Sequence, residues 1–350
     1  MKCKRLWWII PALLVLFTAV SCKSTPPEQA PDPAAPAEVA DRQAPAVDMA
    51  ALNAAAARAQ SARQLVSDFS GPEFFPSDWQ AAESLYTQAG QQRRSGTTQE
   101  AQESAARFNS AADAFEAMTP KTLAQYYENV ERDIDNARGA AVAAGAAALA
   151  PDFLLEADKV VVDAMDKYEA NEYYAARDAA VKALSMYSTL TVGVQAFAVR
   201  QRVAANAQTL APEALAEADL AFANGYEKWE AGEFAGAKTD AELALVLFSR
   251  AGASAERQRA LNSRANVAVR QDFNSTQAIY SRANTAYQER RFEEAGRLFR
   301  ESETMFGAAA RQARERRVVA EEALRRANDR ISESNETARA AERILEGDVQ

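Results

Sequence analysis

The sequence has no histidine, only two cysteines, and thirteen glycines in 350 residues. Without histidine the commonest general base and metal ligand are missing, and Ser-His-Asp or Cys-His catalytic sites cannot form. Cys3 and Cys22 are too few for a zinc cluster or a disulfide framework. Gly-rich phosphate loops, nucleophile elbows and calcium loops are also missing from the sequence. We therefore expect a protein that is not an enzyme and uses no cofactor or metal.

The charge and composition narrow the class of protein further. The formal net charge is −9 and the sequence pI is about 5.0, which argues against nucleic acid or anionic lipid as a general partner. The chain is rich in alanine and about a quarter charged, a composition typical of long helices. We predict an all-α fold.

The N-terminal residues 1–21 have the pattern of a secretory signal peptide. Lys2, Lys4 and Arg5 precede an apolar run that is shorter than the roughly twenty residues of a membrane span. The run ends in Thr-Ala-Val-Ser-Cys, at residues 18–22, which resembles the bacterial lipobox.

This resemblance implies that Cys22 is the lipidation site, where diacylglycerol and fatty acids such as palmitate anchor the protein to a membrane of the bacterial cell envelope. Ser21 fits the lipobox, whereas Ala19 stands where leucine is usual. The alternative is an ordinary cleavage site followed by a free thiol. Residues 22–46 are rich in proline and alanine and contain almost no large apolar side chain, so we expect an extended tether.

A helical hairpin is predicted at residues 211–248. Apolar and small residues recur there at alternating steps of three and four, the period of one helix face. Gly232 interrupts the pattern, so we predict two antiparallel helices joined by a short turn. The stripes are Leu215, Ala218, Phe222, Gly225 and Trp229, then Phe234, Ala237, Ala241, Ala244 and Phe248.

The same pattern occurs four times at a period of about sixty residues, which predicts an elongated array of stacked hairpins. Asn171 and Arg290 occupy the turn in two other copies, and Ser95 and Gly96 lie in the turn of the divergent first copy. We assign the aromatic residues to the core. The other stripes are Trp79, Ala82, Tyr86, Ala89, Arg93, Ala101, Ser104, Phe108, Ala111 and Phe115; Leu154, Ala157, Val161, Ala164, Tyr168, Tyr173, Ala176, Ala180, Ala183 and Tyr187; and Phe273, Thr276, Tyr280, Ala283, Tyr287, Phe292, Ala295, Phe299, Ser302 and Phe306.

These signals divide the chain into four units after the tether. Residues 47–150 hold an N-terminal helix over 47–69 and the first repeat, in which Thr119-Pro120 predicts a helix break and an insertion of about ten residues follows. The other repeats are predicted at 151–209, 210–268 and 269–350. Each unit is either a hairpin with one very long second helix or a set of three shorter helices.

The C-terminal segment, residues 308–345, is predicted to be one long helix. Its apolar and small residues follow a coiled-coil seam, although a weak one dominated by alanine. We favour packing on the last repeat as a cap over self-association with another chain. Interspersed glutamates favour a solvated, salt-bridged surface over an anion-binding site for its arginines, which are Arg311, Arg314, Arg316, Arg317, Arg325, Arg326 and Arg330.

Two family resemblances are carried by the turns and the helices that follow them. Tyr168-x-x-Asn171-x-Tyr173-x-x-Ala176 and Trp229-x-x-Gly232-x-Phe234-x-x-Ala237 resemble the turn of a tetratricopeptide repeat, whose period is shorter. The Leu-Ala-Pro-x-x-Leu-x-x-Ala-Asp run at 210–219 resembles an uncharacterised alanine-rich domain of bacterial envelope lipoproteins. That resemblance covers 151–306 well and 76–115 loosely, and it implies a helical envelope protein without catalytic residues.

Two functions from different classes are consistent with this sequence. The first is a lipid-anchored envelope scaffold that binds a protein partner on its helical surface. The second is a periplasmic accessory that binds a small apolar ligand for transport. It predicts a continuous apolar cavity lined by unpaired aromatic side chains, whereas the scaffold predicts a filled core with no such cavity. A hydrolase is disfavoured because its motifs are missing.

Overall fold

The computed structural model describes residues 49–93 and 98–347, and these residues form twelve helices. The predicted signal peptide, Cys22, the tether and the turn residues Ser95 and Gly96 lie outside the described residues. No strand occurs within the described ranges, so the all-α prediction is confirmed. The helices are α1 (Met49–Asp68), α2 (Gly71–Phe74), α3 (Pro76–Gln92), α4 (Thr98–Ala143), α5 (Ala146–Leu149), α6 (Pro151–Glu169), α7 (Tyr173–Leu210), α8 (Pro212–Glu230), α9 (Phe234–Asn262), α10 (Ala265–Ala268), α11 (Arg270–Gln288) and α12 (Phe292–Gly347).

Each repeat is a hairpin of one short and one long helix. The short helices α3, α6, α8 and α11 have 17 to 19 residues, and the long helices α4, α7, α9 and α12 have 29 to 56. The two-helix alternative is therefore the one the chain adopts. Gly193 and Gly252 lie inside α7 and α9 without ending them.

The long helices form a continuous layer. α4 packs against α7, α7 against α9 and α9 against α12, while each short helix packs on the long helix of its own hairpin. α1 packs on α4 beside α3. Every hairpin therefore buries its apolar surface partly against a neighbour, which makes an elongated array.

The predicted stripes face the interior of this array. The last residue of each long-helix stripe, namely Phe115, Tyr187, Phe248 or Phe306, is fully buried. Small residues fill most positions between the aromatic ones, and Ala157, Ala183, Ala218, Ala244 and Ala283 are also fully buried. All of the predicted stripe residues except Arg93 are buried or half-buried, so the core assignment is confirmed for them and is wrong for the exposed Arg93.

The three predicted turn residues adopt the left-handed conformation. Asn171, Gly232 and Arg290 have φ of 61°, 77° and 59°. Around Gly232, the N–H of Gly232 donates to the Trp229 carbonyl and the N–H of Glu233 to the Lys228 carbonyl, at 2.9 and 2.8 Å. The same pair of hydrogen bonds occurs at the other two turns. This is the Schellman ending of a helix, and it satisfies carbonyls that would otherwise lack donors.

A second recurrent connection leads into the first, second and fourth hairpins, whereas Ala211 alone joins α7 to α8. Ser70, Gly145 and Arg264 have positive φ, and each precedes a helix of four residues, namely α2, α5 or α10. A single non-helical residue then leads into the next short helix. Because α1 enters the array through this connection, it occupies the place of the long helix of a preceding unit.

An arginine of each preceding helix binds the short helix that follows it. The partner lies 19 or 20 residues later in every case, and the contact ties consecutive units together. The pairs are Arg63 with Glu83, Arg138 with Asp158, Arg200 with Asp219 and Arg257 with Gln277, at 2.6 to 2.8 Å. The charged pairs are partly solvated, so each contributes roughly 1 kcal/mol or less.

The predicted helix break at Thr119-Pro120 is wrong, because α4 continues through Pro120. A proline inside a helix removes one hydrogen bond and costs about 3 kcal/mol. Met118 and Leu123 on either side are almost completely buried, and Thr122 is fully buried. The burial of this segment against neighbouring helices outweighs the lost hydrogen bond.

The predicted C-terminal cap is correct only for the first part of α12. Residues 292–313 pack against α9 and α11, and Ala309, Ala310 and Ala313 are buried. From Arg314 to Leu345 every side chain except the half-buried Ala340 is exposed. The array ends at Ala313 because the described chain has no further short helix to cover the rest of α12.

Substitutions of two glycines at similar places in α7 and α9 test how closely the long helices pack. No heavy atom outside the local backbone lies within 4 Å of a Cβ built on Gly193, among the described residues. Gly193→Ala should therefore raise the free energy of unfolding by up to about 1 kcal/mol, because alanine is the better helix former. A Cβ on Gly252 would lie 2.8 Å from Cγ1 of the buried Val203. Gly252→Ala should lower stability by about 1 kcal/mol or more, and denaturant unfolding of both variants measures the difference.

The contact between Arg138 and Asp158 should make stability depend on pH. The Arg138 guanidinium donates hydrogen bonds to Asp158 and lowers the pKa of that carboxyl, and the Tyr187 hydroxyl donates a further one. The resulting stabilisation is present above the unfolded pKa of about 4 and is lost as the pH falls through the lowered folded pKa. Asp158→Asn should lower stability at neutral pH and flatten its decline below about pH 4. Asp166→Asn, at an exposed position of the same helix, is the control, and equal pH profiles for both variants would refute the assignment.

Candidate functional site

An apolar groove lies between the second and third hairpins. It has a volume of about 230 Å³ and is open to solvent. The connection from α5 to α6 forms one rim, and α9 closes the far side. The lining residues are Leu149, Ala150, Phe153, Thr189, Leu190, Gly193, Val194, Phe197, Phe222, Gly225, Tyr226, Trp229, Ala237 and Ala241.

The floor of the groove has no free polar group among its described residues. Leu190 and Val194 from α7 are buried there. The hydroxyl of Thr189 lies 2.8 Å from the Ser185 carbonyl and 2.9 Å from the Phe234 carbonyl, so its hydrogen bonds are made within the protein. A molecule in the groove would meet mainly hydrocarbon.

Aromatic side chains form the two walls. Phe153 lies edge-to-face against Trp229, with ring centroids 5.3 Å apart, and 6.0 Å from Tyr226. The indole N–H of Trp229 donates to Glu156 at 3.2 Å, which fixes the orientation of the ring. This wall is therefore ordered before anything binds.

The opposite wall is formed by Phe197 and Phe222. Their rings are stacked at 6.2 Å with an interplanar angle of 24°. Phe222 also contacts the buried Phe248 at 6.1 Å, which connects the wall to the core of the third hairpin. The aromatic rings are thus paired with one another and still expose faces or edges to the groove.

Two glycines set the width of the groove. A Cβ on Gly225 would lie 3.3 Å from the Ala237 carbonyl oxygen, so glycine permits the close approach of α8 to α9. Gly193 lines the groove with open space around it. A Cβ added at residue 193 would meet no described heavy atom within 4 Å, so a longer side chain there has room to enter the groove.

The exposed part of the groove is the edge that a partner would meet first. Tyr226 is 48% exposed and Leu149 is 38% exposed. Glu230 accepts a hydrogen bond from the Tyr226 hydroxyl and raises the pKa of that hydroxyl. No lining residue is a general base or an activated nucleophile. The groove can therefore bind apolar groups, and its described residues offer no catalytic chemistry.

A second groove lies between α1, α4 and the start of α7. It is wider, about 480 Å³, and is lined in part by Arg58, Glu116, Pro120 and Tyr173. The Arg58 guanidinium is held at this rim by Glu116 and by Asp113, with the nearest Asp113 oxygen at 2.7 Å. This charged rim makes it a poorer site for an apolar partner than the groove between the second and third hairpins.

The structure relates to the sequence predictions in different ways. Cys22, the only predicted site residue, lies outside the described residues, and lipidation stays a prediction. Phe222 and Trp229 were assigned to a buried stripe, whereas Phe153, Phe197 and Tyr226 were not selected at all. The signal that would have found these three is an aromatic residue placed off the predicted buried face.

Comparison with known proteins adds no family to these observations. No protein-family model matches the chain, and no curated protein or solved structure is significantly similar to it. Among the described residues, none of the helices combines the length and apolarity needed to cross a bilayer, and no group of histidine, cysteine, aspartate and glutamate residues could hold a metal ion.

The groove should bind an apolar fluorescent probe such as N-phenyl-1-naphthylamine, and Gly193→Leu should weaken that binding at least about fivefold, because the new side chain occupies the volume. Gly139→Leu is the matched control, since Gly139 is also helical and open but lies on α4, away from the groove. A fluorescence titration measures both. Equal weakening by the two substitutions, or by neither, would place the probe elsewhere.

Proposed function

We propose that this protein is a lipid-anchored scaffold of the bacterial cell envelope that binds a protein partner through its helical array. The observation that carries the proposal is the groove between the second and third hairpins, an open groove with paired aromatic rings rather than the continuous cavity lined by unpaired aromatics that a carrier predicts. It is apolar, preformed and open to solvent, and it is walled by aromatic side chains that are already held in place. Buried aromatic anchors are the residues that contribute most to protein–protein binding.

The shape of the groove favours a protein segment over a free small molecule. Its volume of about 230 Å³ lies below the roughly 300–1,000 Å³ of typical ligand pockets. Small-molecule sites also contain polar groups that orient the ligand, whereas the Thr189 hydroxyl is engaged by two carbonyls. A few apolar side chains from one face of a partner helix would fill the groove.

The proposed location rests on the N-terminal sequence. The lipobox-like residues 18–22 and the Pro/Ala-rich residues that follow support a lipid anchor at Cys22 with a tether. An extended tether of this composition reaches about 3.1 Å per residue, or roughly 70 Å for residues 23–46. The array could then meet partners across a wide zone near the membrane.

A carrier of a small apolar ligand is the second candidate. The apolar lining of the groove favours it, because that lining would accept a hydrocarbon chain as readily as a partner side chain. The two functions predict different experimental results. A carrier would retain a small molecule through purification and would form no protein adduct that depends on the groove.

A photo-crosslinking amino acid at residue 226 tests the scaffold proposal in intact cells. Tyr226 is exposed at the rim, so the probe can reach a partner without disturbing the core. We expect one protein adduct from residue 226, its loss when Gly193→Leu fills the groove, and no such adduct from the same probe at Gly139. A co-purifying apolar molecule without a protein adduct would favour the carrier.

The lipid anchor has its own test. In the native host, Cys22→Ser should abolish incorporation of labelled palmitate and move the protein from the membrane fraction to the soluble fraction, because Cys22 is the only cysteine after residue 3. Pulse-labelling followed by fractionation measures both effects. Undiminished labelling of the Cys22→Ser protein would refute the anchor and leave the groove proposal standing.

A further inference from the structure

The last 34 residues of α12 form a largely exposed helical extension. Residues 314–347 extend beyond the array for about 50 Å at 1.5 Å per residue. One contact fixes their base, where the Arg316 guanidinium donates to the Ala268 carbonyl at 2.6 Å. Leu324, Ile331 and Leu345 are 64%, 59% and 70% exposed. Such large side chains on an uncovered helix point to a surface that binds another helix.

These exposed residues lie on one seam. Steps of three and four residues connect the positions along the helix, as in a two-stranded coiled coil. The side chains at alternate positions of the seam fall into two sets, one of mostly large side chains and one of small side chains only. The first set is Arg317, Leu324, Ile331, Ala338 and Leu345, and the second is Ala320, Ala327, Ser334 and Ala341.

We propose that the partner of this seam is the same seam of a second copy, paired antiparallel over residues 317–341. The two-fold axis passes next to Asp329. In this register Leu324 lies opposite Ser334 of the second copy and Ile331 opposite Ala327. The proposal is independent of the groove, since the two surfaces share no residue.

Side-chain size favours the antiparallel orientation. Over residues 317–341, antiparallel pairing places Arg317, Leu324 and Ile331 of the large set against Ala341, Ser334 and Ala327 of the small set, so that large side chains meet small ones. Ala338 faces Ala320, and Leu345 lies beyond the paired segment. A parallel pair would place each position against itself. Arg317 would then meet its own copy inside the seam, and the alanines would leave gaps. Packing without voids or buried like charges therefore selects the antiparallel form.

Charge favours the same orientation. Residues 314–330 hold six arginines and four carboxylates, whereas residues 331–347 hold two arginines and four carboxylates. Antiparallel pairing lays the positive half of one helix along the negative half of the other. It also places Arg314 next to Glu342 of the second copy at both ends. One unfavourable contact remains, because Arg330 lies next to Arg330 of the second copy at the two-fold axis. Both side chains reach water there, which weakens their repulsion.

Cysteine crosslinking tests the orientation, because the chain from residue 23 onward contains no cysteine. In the antiparallel register Ala320 lies opposite Ala338 of the second copy. We expect a disulfide when chains with Ala320→Cys and Ala338→Cys are mixed, and none with Ala320→Cys alone. A disulfide from Ala320→Cys alone would mean that the pair is parallel and would overturn the proposal.

Sedimentation of the chain comprising residues 23–350 tests the association itself. We expect a dimer whose dissociation constant rises at least about tenfold in Leu324→Glu, equivalent to about 1.4 kcal/mol. Val319→Glu is the matched control, since Val319 is 67% exposed on the same helix but lies off the seam. Neither side chain contacts the array, so both variants should keep the melting temperature of the parent. A parent chain that stays monomeric at about 0.1 mM, or equal weakening by both substitutions, would overturn the proposal.

Discussion

The close packing of small residues between helices is the constraint on which the rest of the structure depends. Alanine at the contact positions lets neighbouring backbones approach, since interaxial distance follows the size of the side chains between them. Ala157 and Ala183 pack in this way in the second hairpin, and Ala218 and Ala244 in the third. The aromatic residues at the ends of the stripes fill the wider space. Between the second and third hairpins that filling is incomplete, and the groove results.

The array is held together by contacts between neighbours. Each hairpin buries its stripe against its own partner helix and against the next long helix, and an arginine of the preceding helix joins the following short helix. The stability of such an array is the sum of the stabilities of its hairpins and of the interfaces between neighbouring hairpins. The hairpins at the two ends therefore have one neighbouring hairpin instead of two. α1 covers the first hairpin, whereas the C-terminal half of α12 extends beyond the last one. A free helix end and a groove are thus consequences of the same repeated geometry.

Much of the fold could be predicted from the sequence because helix period and turn chemistry are local. The stripes and the turns at Asn171, Gly232 and Arg290 follow from residues within one hairpin. The continuation of α4 through Pro120 could not be predicted, because burial by distant helices decides it. The groove could not be predicted either, since Phe153 and Tyr226 come from different hairpins and meet only in the stacked array. The arginine pairs did have a sequence signal, an acceptor 19 or 20 residues after each arginine.

Side-chain oxidation by hydroxyl radicals tests most directly whether a partner covers the aromatic groove in the cell. Tyr226 at the rim and Tyr174 on α7 are 48% and 41% exposed, so they should react at similar rates in the purified chain. In intact cells we predict that Tyr226 becomes markedly slower to oxidise while Tyr174 keeps its rate. Equal protection of both tyrosines, or none at Tyr226, would contradict a partner in the groove.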